Sequence, residues 1–249
     1  MLTDGPRWGA AGRGAAFARS GPMRRNAAMQ IEVWSDIYCP FCGLGDYRLR
    51  RALERFAHHD AVQVVHRSFQ LDPGIPEGQV LSSVEYLREA KGADPDQVEA
   101  VARELERNAE AEGLAPYHVF DNAIGNTRRA HEFLAWASEQ GLGEAAWQRV
   151  FDAYFGERAP VWSIADLAAL AAGLGLDTDA ARAALASGRY VERVRADHAA
   201  AVALGARGVP FFVFDGRYTL FGAQPVERLL GVIERAWNER EHGRGQGAA

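Results

Sequence analysis

Strand-forming sequence occurs only at the two ends of this chain, and the long stretch between them reads as helix. Gln30–Ser35 alternates in character and is rich in strand formers. Leu49, Ala52, Leu53 and Phe56 then recur at helical spacing between Gly45 and Ala57. Val62–Phe69 reads as a second strand, so residues 30–69 spell a βαβ unit, whose crossover is almost always right-handed. Strand character returns only at Pro210–Phe214 and Arg217–Phe221, on either side of the turn pair Asp215-Gly216. A helix over Pro225–Trp237 follows, with Leu229, Leu230, Ile233 and Trp237 inward. With a βαβ unit at one end and a ββα unit at the other, the simplest fold joins the two ends into one sheet and leaves the helices between them as a cap.

The intervening block predicts a series of helices. Asp94 caps one, Pro95 suits its first position and Gln97 reaches back. Val98, Val101, Ala102 and Leu105 form its apolar face, and Gly113 ends it. Further helices are expected over 126–141, 146–155, from Ser163, over 178–187 and over 190–204. The expected organisation is an α/β domain made of 29–78 and 205–240, interrupted by an all-helical insertion over 79–204. Residues 241–249 are expected to be a disordered tail.

Residues 1–28 carry Gly and Arg without periodicity and are expected to be disordered or untranslated, with Met23 and Met29 as alternative starts. Gly14–Ala18 is too short for the apolar core of a secretory signal, which needs roughly 7–15 residues. A transit peptide is the other reading of this stretch. The net charge of -5 argues against a nucleic-acid partner, which selects a basic field. No apolar run reaches the roughly 18 residues of a membrane span. A cytoplasmic location is expected.

The chain has two cysteines, Cys39 and Cys42, placed between the first strand and the following helix. A helix N-terminus carries about half a positive charge and unpaired N–H groups, which favour a thiolate over a thiol. Reactive cysteines at such places ionise at roughly 3.5–7.5, against about 8.5 when free. At three-residue spacing the sulfurs share a helical face and can close a disulfide. Cys39 would attack and leave; Cys42, a turn deeper, would resolve. Pro40 suits the first turn, where its missing N–H costs nothing. Phe41 offers neither charge nor donor, and a less oxidising couple is expected than with a His there. Two other readings apply to the pair. A zinc site needs about four ligands, and His58, His59 or His66 would have to complete it. Inert buried thiols are the third reading. A cysteine pair in a βαβ unit of a chain without a disulfide framework favours redox chemistry, with no metal and no cofactor beyond the pair itself. Gly208-Val209-Pro210 opens the later hairpin, and Pro210 there is either strand-edge punctuation or a cis bond facing the cysteines.

Ser35-Asp36-Ile37-Tyr38-Cys39-Pro40-Phe41-Cys42, followed by Gly43 and Gly45, resembles the start of the DsbA-like thioredoxin superfamily, and its FrnE-like branch in particular. Three blocks agree in order: Asn126-Thr127 with Ala130-His131, Phe151–Phe155, and Gly208–Val213 with Gly222-Ala223-Gln224. The resemblance implies a thioredoxin fold interrupted by the helical insertion. It implies that Cys39 is the nucleophile, Cys42 the resolving thiol and Pro210 a cis-proline opposite them, with the Val209 backbone offered to a bound partner. Pro40 and Phe41 join this substrate-binding set. Asp36 reads as a helix-start carboxylate or as a group acting on Cys39; Asn126 and His131 read as structural or as groove contacts. The implied activity is dithiol–disulfide exchange on protein or small-molecule thiols and disulfides, with glutathione as a potential co-substrate. The related 2-hydroxychromene-2-carboxylate isomerase and kappa-class glutathione transferase branch implies the alternative of a glutathione-dependent isomerase or transferase. A holdase groove for unfolded chains is a third.

Overall fold

The expectation that the two ends share a sheet holds. The structure, a computed structural model, describes residues 28–120 and 122–246; all but the last position of the N-terminal stretch 1–28 lies outside the described residues. The first unit is β1 (Met29–Ser35), α1 (Pro40–Arg55) and β2 (Val62–Ser68). The middle runs β3 (Val80–Ser82), α2 (Ser83–Lys91), α3 (Pro95–Ala111), β4 (Ala123–Gly125), α4 (Arg128–Glu139) and α5 (Gly143–Phe151). A π-helical turn over Asp152–Gly156 continues α5, and α6 (Ile164–Gly173), α7 (Thr178–Ser187) and α8 (Val191–Ala203) follow. The last unit is β5 (Phe211–Phe214), β6 (Tyr218–Phe221) and α9 (Val226–Gln246).

The main sheet has the order β2-β1-β5-β6. β1 pairs parallel with β2, from Met29 opposite Val62 to Ser35 opposite Ser68. It pairs antiparallel with β5, from Ile31 opposite Phe214 to Trp34 opposite Phe211. Alternation along the strands then fills two faces. Ile31, Val33, Phe212 and Phe214 join Leu49 and Ala52 of α1 and Leu229, Ile233 and Ala236 of α9. Trp34, Phe211 and Val213 face the other way, toward Phe69, Ala201 and Ala206. Covered on both faces, β5 reads as an uninterrupted apolar run. Asp215 and Gly216, at φ 50° and 65°, make the hairpin turn, and the Arg217 N–H donates to the Phe214 carbonyl at 3.0 Å.

Four expectations need correction. The insertion is not helical throughout: β3 and β4 pair antiparallel as a two-stranded ribbon, Leu81 opposite Ile124. Three-residue strands are too short to leave a period. Val101 does not face inward; it is 56% exposed, while Ala102, Leu105 and Ala109 carry the buried stripe of α3. Asp94 caps the Asp96 N–H, and among the described residues no return bond from the Gln97 side chain accompanies it. The tail expected to be disordered from residue 241 is helical as far as Gln246, continuing α9 beyond Arg240, whose buried guanidinium donates to Asp215 Oδ1 at 2.7 Å and to the Ala28 carbonyl at 3.2 Å.

One polar cluster locks the insertion to the sheet. The buried Asp46 carboxylate of α1 meets His66 Nε2 of β2 at 2.7 Å and accepts from Arg50 Nε at 3.2 Å. Trp147 of α5 stacks on the His66 ring, with centroids 5.5 Å apart. Burial raises the Asp46 carboxyl, but the His66 hydrogen bond and charge, followed by Arg50, outweigh it and leave the group below its ordinary value. A depressed folded-state value stabilises the fold above the unfolded carboxyl's about 3.9, and the stabilisation is lost as pH falls through the folded value. Asp46→Asn is therefore expected to lower stability by about 1–3 kcal/mol at pH 7, with the gap to wild type closing below about pH 4. Urea denaturation across this pH range checks it; a gap unchanged from pH 7 to pH 3 contradicts the assignment.

Candidate active site

The site forms where the C-terminal end of β1 runs into α1. Cys39 is the N-cap of α1, in extended backbone at φ -75° and ψ 111°, with Pro40 opening the first turn. No acidic residue sits in that first turn, although the buried Asp36 carboxylate lies just ahead of it. The Cys42 N–H donates to the Cys39 carbonyl at 2.9 Å. Both cysteines are free thiols; Cys39 is 4% exposed and Cys42 is fully buried. Burial pushes the Cys42 thiol well above its ordinary value; the neighbouring Cys39 adds to this, while the Asp36 backbone N–H pulls partly back.

The loop before β5 closes the front of the site. Cys39 Sγ lies 3.5 Å from the Val209 carbonyl, and the Val209–Pro210 peptide is cis. Pro210 rests against α1 at Gly45, where an added Cβ would lie 3.0 Å from Pro210 Cγ and 3.3 Å from Phe212 Cζ. Gly43 allows a second close approach, since a Cβ there would lie 2.6 Å from the Tyr117 hydroxyl and 3.1 Å from Phe155. The Tyr117 hydroxyl donates to the Pro40 carbonyl, and its ring stacks on Phe155 at 4.7 Å. Phe41 stands beside the pair, 44% exposed.

The structure thus brings together Cys39, Cys42, Pro40, Phe41, Val209 and Pro210. The other residues singled out in the sequence fall elsewhere. Asp36 is not a helix-start carboxylate: it lies ahead of α1, fully buried, and accepts from the Ile37 N–H at 2.8 Å, the Leu71 N–H at 2.7 Å and His131 Nε2 at 3.1 Å. Asn126 pins the loop after β2, donating to the Ile75 carbonyl and accepting from the Arg128 N–H at 2.9 Å. His66 faces Asp46, and His58 stacks on Trp237 at 4.7 Å. Sequence reasoning missed Tyr117 and gave Tyr154 only as part of the Phe151–Phe155 block, without a place at the site. Burial pushes both phenols up, and the cysteines beside Tyr117 add to its shift. The Phe151–Phe155 block carried a signal for Tyr154, whereas Tyr117 sits in a loop with no motif around it.

The DSBA-like thioredoxin domain profile matches residues 30–234. Among solved structures, a probable DsbA oxidoreductase from Streptomyces coelicolor is 41% identical, with a TM-score of 0.80 over 85% of this chain and 91% of that one. A 2-hydroxychromene-2-carboxylate isomerase shares the fold at 19% identity and a TM-score of 0.62, over 89% of this chain and 100% of that one. The cytosolic disulfide reductase DsbM from Pseudomonas aeruginosa, solved with GSH, shares it at 18% identity and a TM-score of 0.53, over 86% of this chain and 98% of that one. The curated proteins give no match.

The Gly45 contact carries a direct test. Gly45→Val forces α1 away from Pro210 and Phe212, and is expected to destabilise the fold by about 1–3 kcal/mol. It should also open the Cys39–Val209 approach, so that iodoacetamide alkylates Cys39 faster in the native variant than in native wild type. Unchanged stability and alkylation would show that the approach is not tight.

Proposed function

The chain belongs to the DSBA-like thioredoxin family, and from that premise we propose that it exchanges dithiols and disulfides through Cys39 and Cys42. The observation that carries the reading is the asymmetry of the pair: Cys39 caps the α1 N-terminus beside the Val209 carbonyl, and Cys42 is sealed behind it. In the reducing direction the Cys39 thiolate attacks a partner disulfide R–S–S–R′. A Cys39–S–S–R bond forms and R′–S⁻ leaves. Cys42 then attacks Cys39, the Cys39–Cys42 disulfide closes, and R–S⁻ leaves with its electron pair. Both protein sulfurs end oxidised and both partner sulfurs reduced. Run backwards, the same steps oxidise a partner dithiol.

The roles divide by position. Cys39 is the nucleophile and leaving group, placed as the N-cap of α1 beside the Val209 carbonyl. Cys42 resolves, and its burial keeps it from capture by bulk oxidants. Phe41 and Pro40 form the apolar lip on which a partner rests. The Val209 carbonyl is the backbone acceptor for an extended partner segment, and Pro210 holds it opposite Cys39. Glutathione fits as a small-thiol co-substrate, since a single thiol completes either half of the cycle. A cytoplasmic reductase role fits that choice of partner. The isomerase or transferase reading needs only one nucleophile and leaves the buried second thiol without a task.

Turbidimetric reduction of insulin by dithiothreitol is expected to accelerate with the wild-type protein and to return to the background rate with Cys39→Ser. Cys42→Ala should accumulate mixed disulfides through Cys39, seen by mass spectrometry under non-reducing conditions. Equal acceleration by wild type and Cys39→Ser would falsify the reading.

A further inference from the structure

Tyr117 reaches the cysteine turn from the insertion, 77 positions away from the residue it touches. Its hydroxyl donates to the Pro40 carbonyl, inside the Cys-Pro-Phe-Cys segment. The ring is buried and stacks on Phe155 at 4.7 Å. A Cβ on Gly43 would lie 2.6 Å from the phenol oxygen, so the missing side chain there is what lets a tyrosine lie against the first turn of α1. A buried phenol needs some acceptor. What sets Tyr117 apart is that its acceptor is the one carbonyl between the two cysteines that belongs to Pro40.

The segment that carries Tyr117, residues 112–120, has neither helix nor strand and is tied down along its length. The Tyr47 hydroxyl donates to the Glu112 carbonyl at 2.6 Å, and Arg48 Nε donates to the Glu112 carboxylate at 2.8 Å. The Glu106 carboxylate of α3 accepts from the Val119 N–H at 2.7 Å and the Phe120 N–H at 2.9 Å. The His118 N–H donates to the Phe155 carbonyl at 2.7 Å. The backbone is therefore held on both sides of Tyr117, and the phenol meets the Pro40 carbonyl from a fixed position.

The Pro40 carbonyl shares its peptide unit with the Phe41 N–H. Cys39 is the N-cap of α1, and an N-cap side chain faces the N–H groups of the second and third helical residues, here Phe41 and Cys42. The Cys42 N–H is committed to the Cys39 carbonyl at 2.9 Å, and Pro40 has no N–H to offer. The Phe41 N–H is the first-turn donor left for the sulfur. A Cys39 thiol donates its hydrogen to the Val209 carbonyl, 3.5 Å away. A Cys39 thiolate can only accept. A hydrogen bond onto a carbonyl polarises the whole peptide and strengthens its N–H as a donor, by roughly 10–30% per bond.

We propose that Tyr117 is a positioning residue for the exchange: it fixes and polarises the Pro40–Phe41 peptide, and so biases the Cys39–Cys42 couple toward its reduced form. This rests on the exchange reading above and names a residue outside the cysteine segment that sets its balance. The bias acts on one side of the couple. In the reduced form the ionised Cys39 sulfur draws on the Phe41 N–H. In the disulfide the same sulfur is neutral and bonded to Cys42 Sγ, and gains little from that donor. Tyr117 itself makes and breaks no bond to sulfur. Against glutathione, one Cys39–Cys42 disulfide and two glutathione thiols give the protein dithiol and one glutathione disulfide, so two electrons and two protons pass to the protein.

The test reads this equilibrium. Wild type and variants are brought to equilibrium in glutathione buffers of graded ratio at pH 7, quenched in acid, alkylated and scored for dithiol and disulfide by mass spectrometry. Tyr117→Phe keeps the ring and its stack on Phe155 and removes only the hydroxyl. Its constant for reduction is expected to fall about threefold, which makes the potential about 14 mV more negative. The second variant carries 3-fluorotyrosine at position 117. Its phenol is a stronger donor, and because burial pushes the Tyr117 phenol well above its ordinary value, the fluorinated group keeps its proton. Its constant is expected to rise, a change of sign that looser packing would not produce. The proposal is overturned if either constant equals that of wild type or if both move the same way. If Tyr117→Phe does not fold, the sign of the fluorinated protein's shift decides alone. A wild-type pair that fails to equilibrate with glutathione or with dithiothreitol would instead sink the exchange reading itself.

Discussion

The antiparallel pairing of β1 with β5 is the interaction on which everything else depends. It joins Ile31 to Phe214 and Trp34 to Phe211 across almost the whole chain. Without it the βαβ unit would expose Val33 and Trp34, and the hairpin would expose Phe211–Phe214. The same pairing brings Val209 and Pro210 to Cys39. Fold closure and site assembly are therefore one event, and a change that loosens the sheet also separates the groups around the sulfur. The close approach at Gly45 has the same origin, because α1 can meet Pro210 only where it carries no side chain.

The site is polarised by depth. Outermost is Phe41, exposed beside the helix end; next is Cys39 at the N-cap; behind both lies Cys42 with no solvent contact. Aromatic side chains from the insertion fill the space beneath. Tyr117 reaches the Pro40 carbonyl, and Phe155 packs under Gly43. The insertion thus supplies the floor of the site as well as covering the sheet, and its π turn at Asp152–Gly156 is what places Tyr154 and Phe155 there.

Much of this was legible in the residues themselves. The two α/β ends, the hairpin turn at Asp215-Gly216 and the cysteine pair at a strand-to-helix junction each follow from local patterns with a period or a turn chemistry. The β3–β4 ribbon was not legible, since Ala123–Gly125 has neither strand propensity nor length. The helix-start reading of Asp36 failed for a different reason. A carboxylate just ahead of a helix is usually a cap, and only the fold shows that its partner is His131, 95 positions away. Tyr117 escaped notice likewise, because its contact with Pro40 spans 77 positions and no periodicity reports on it. Long-range polar contacts leave no trace in a local window, whereas apolar stripes do.

The distance along the chain between the two halves of the site has a consequence for biosynthesis. Cys39 and the Val209 carbonyl are separated by 170 positions. At about 5–20 residues per second, a ribosome needs on the order of ten to thirty seconds to deliver the second after the first. Throughout that interval the nascent chain carries two cysteines with no β5 to pair with β1, and their chemistry is that of unfolded thiols. The specificity of the finished pocket begins only when nearly the last strand emerges.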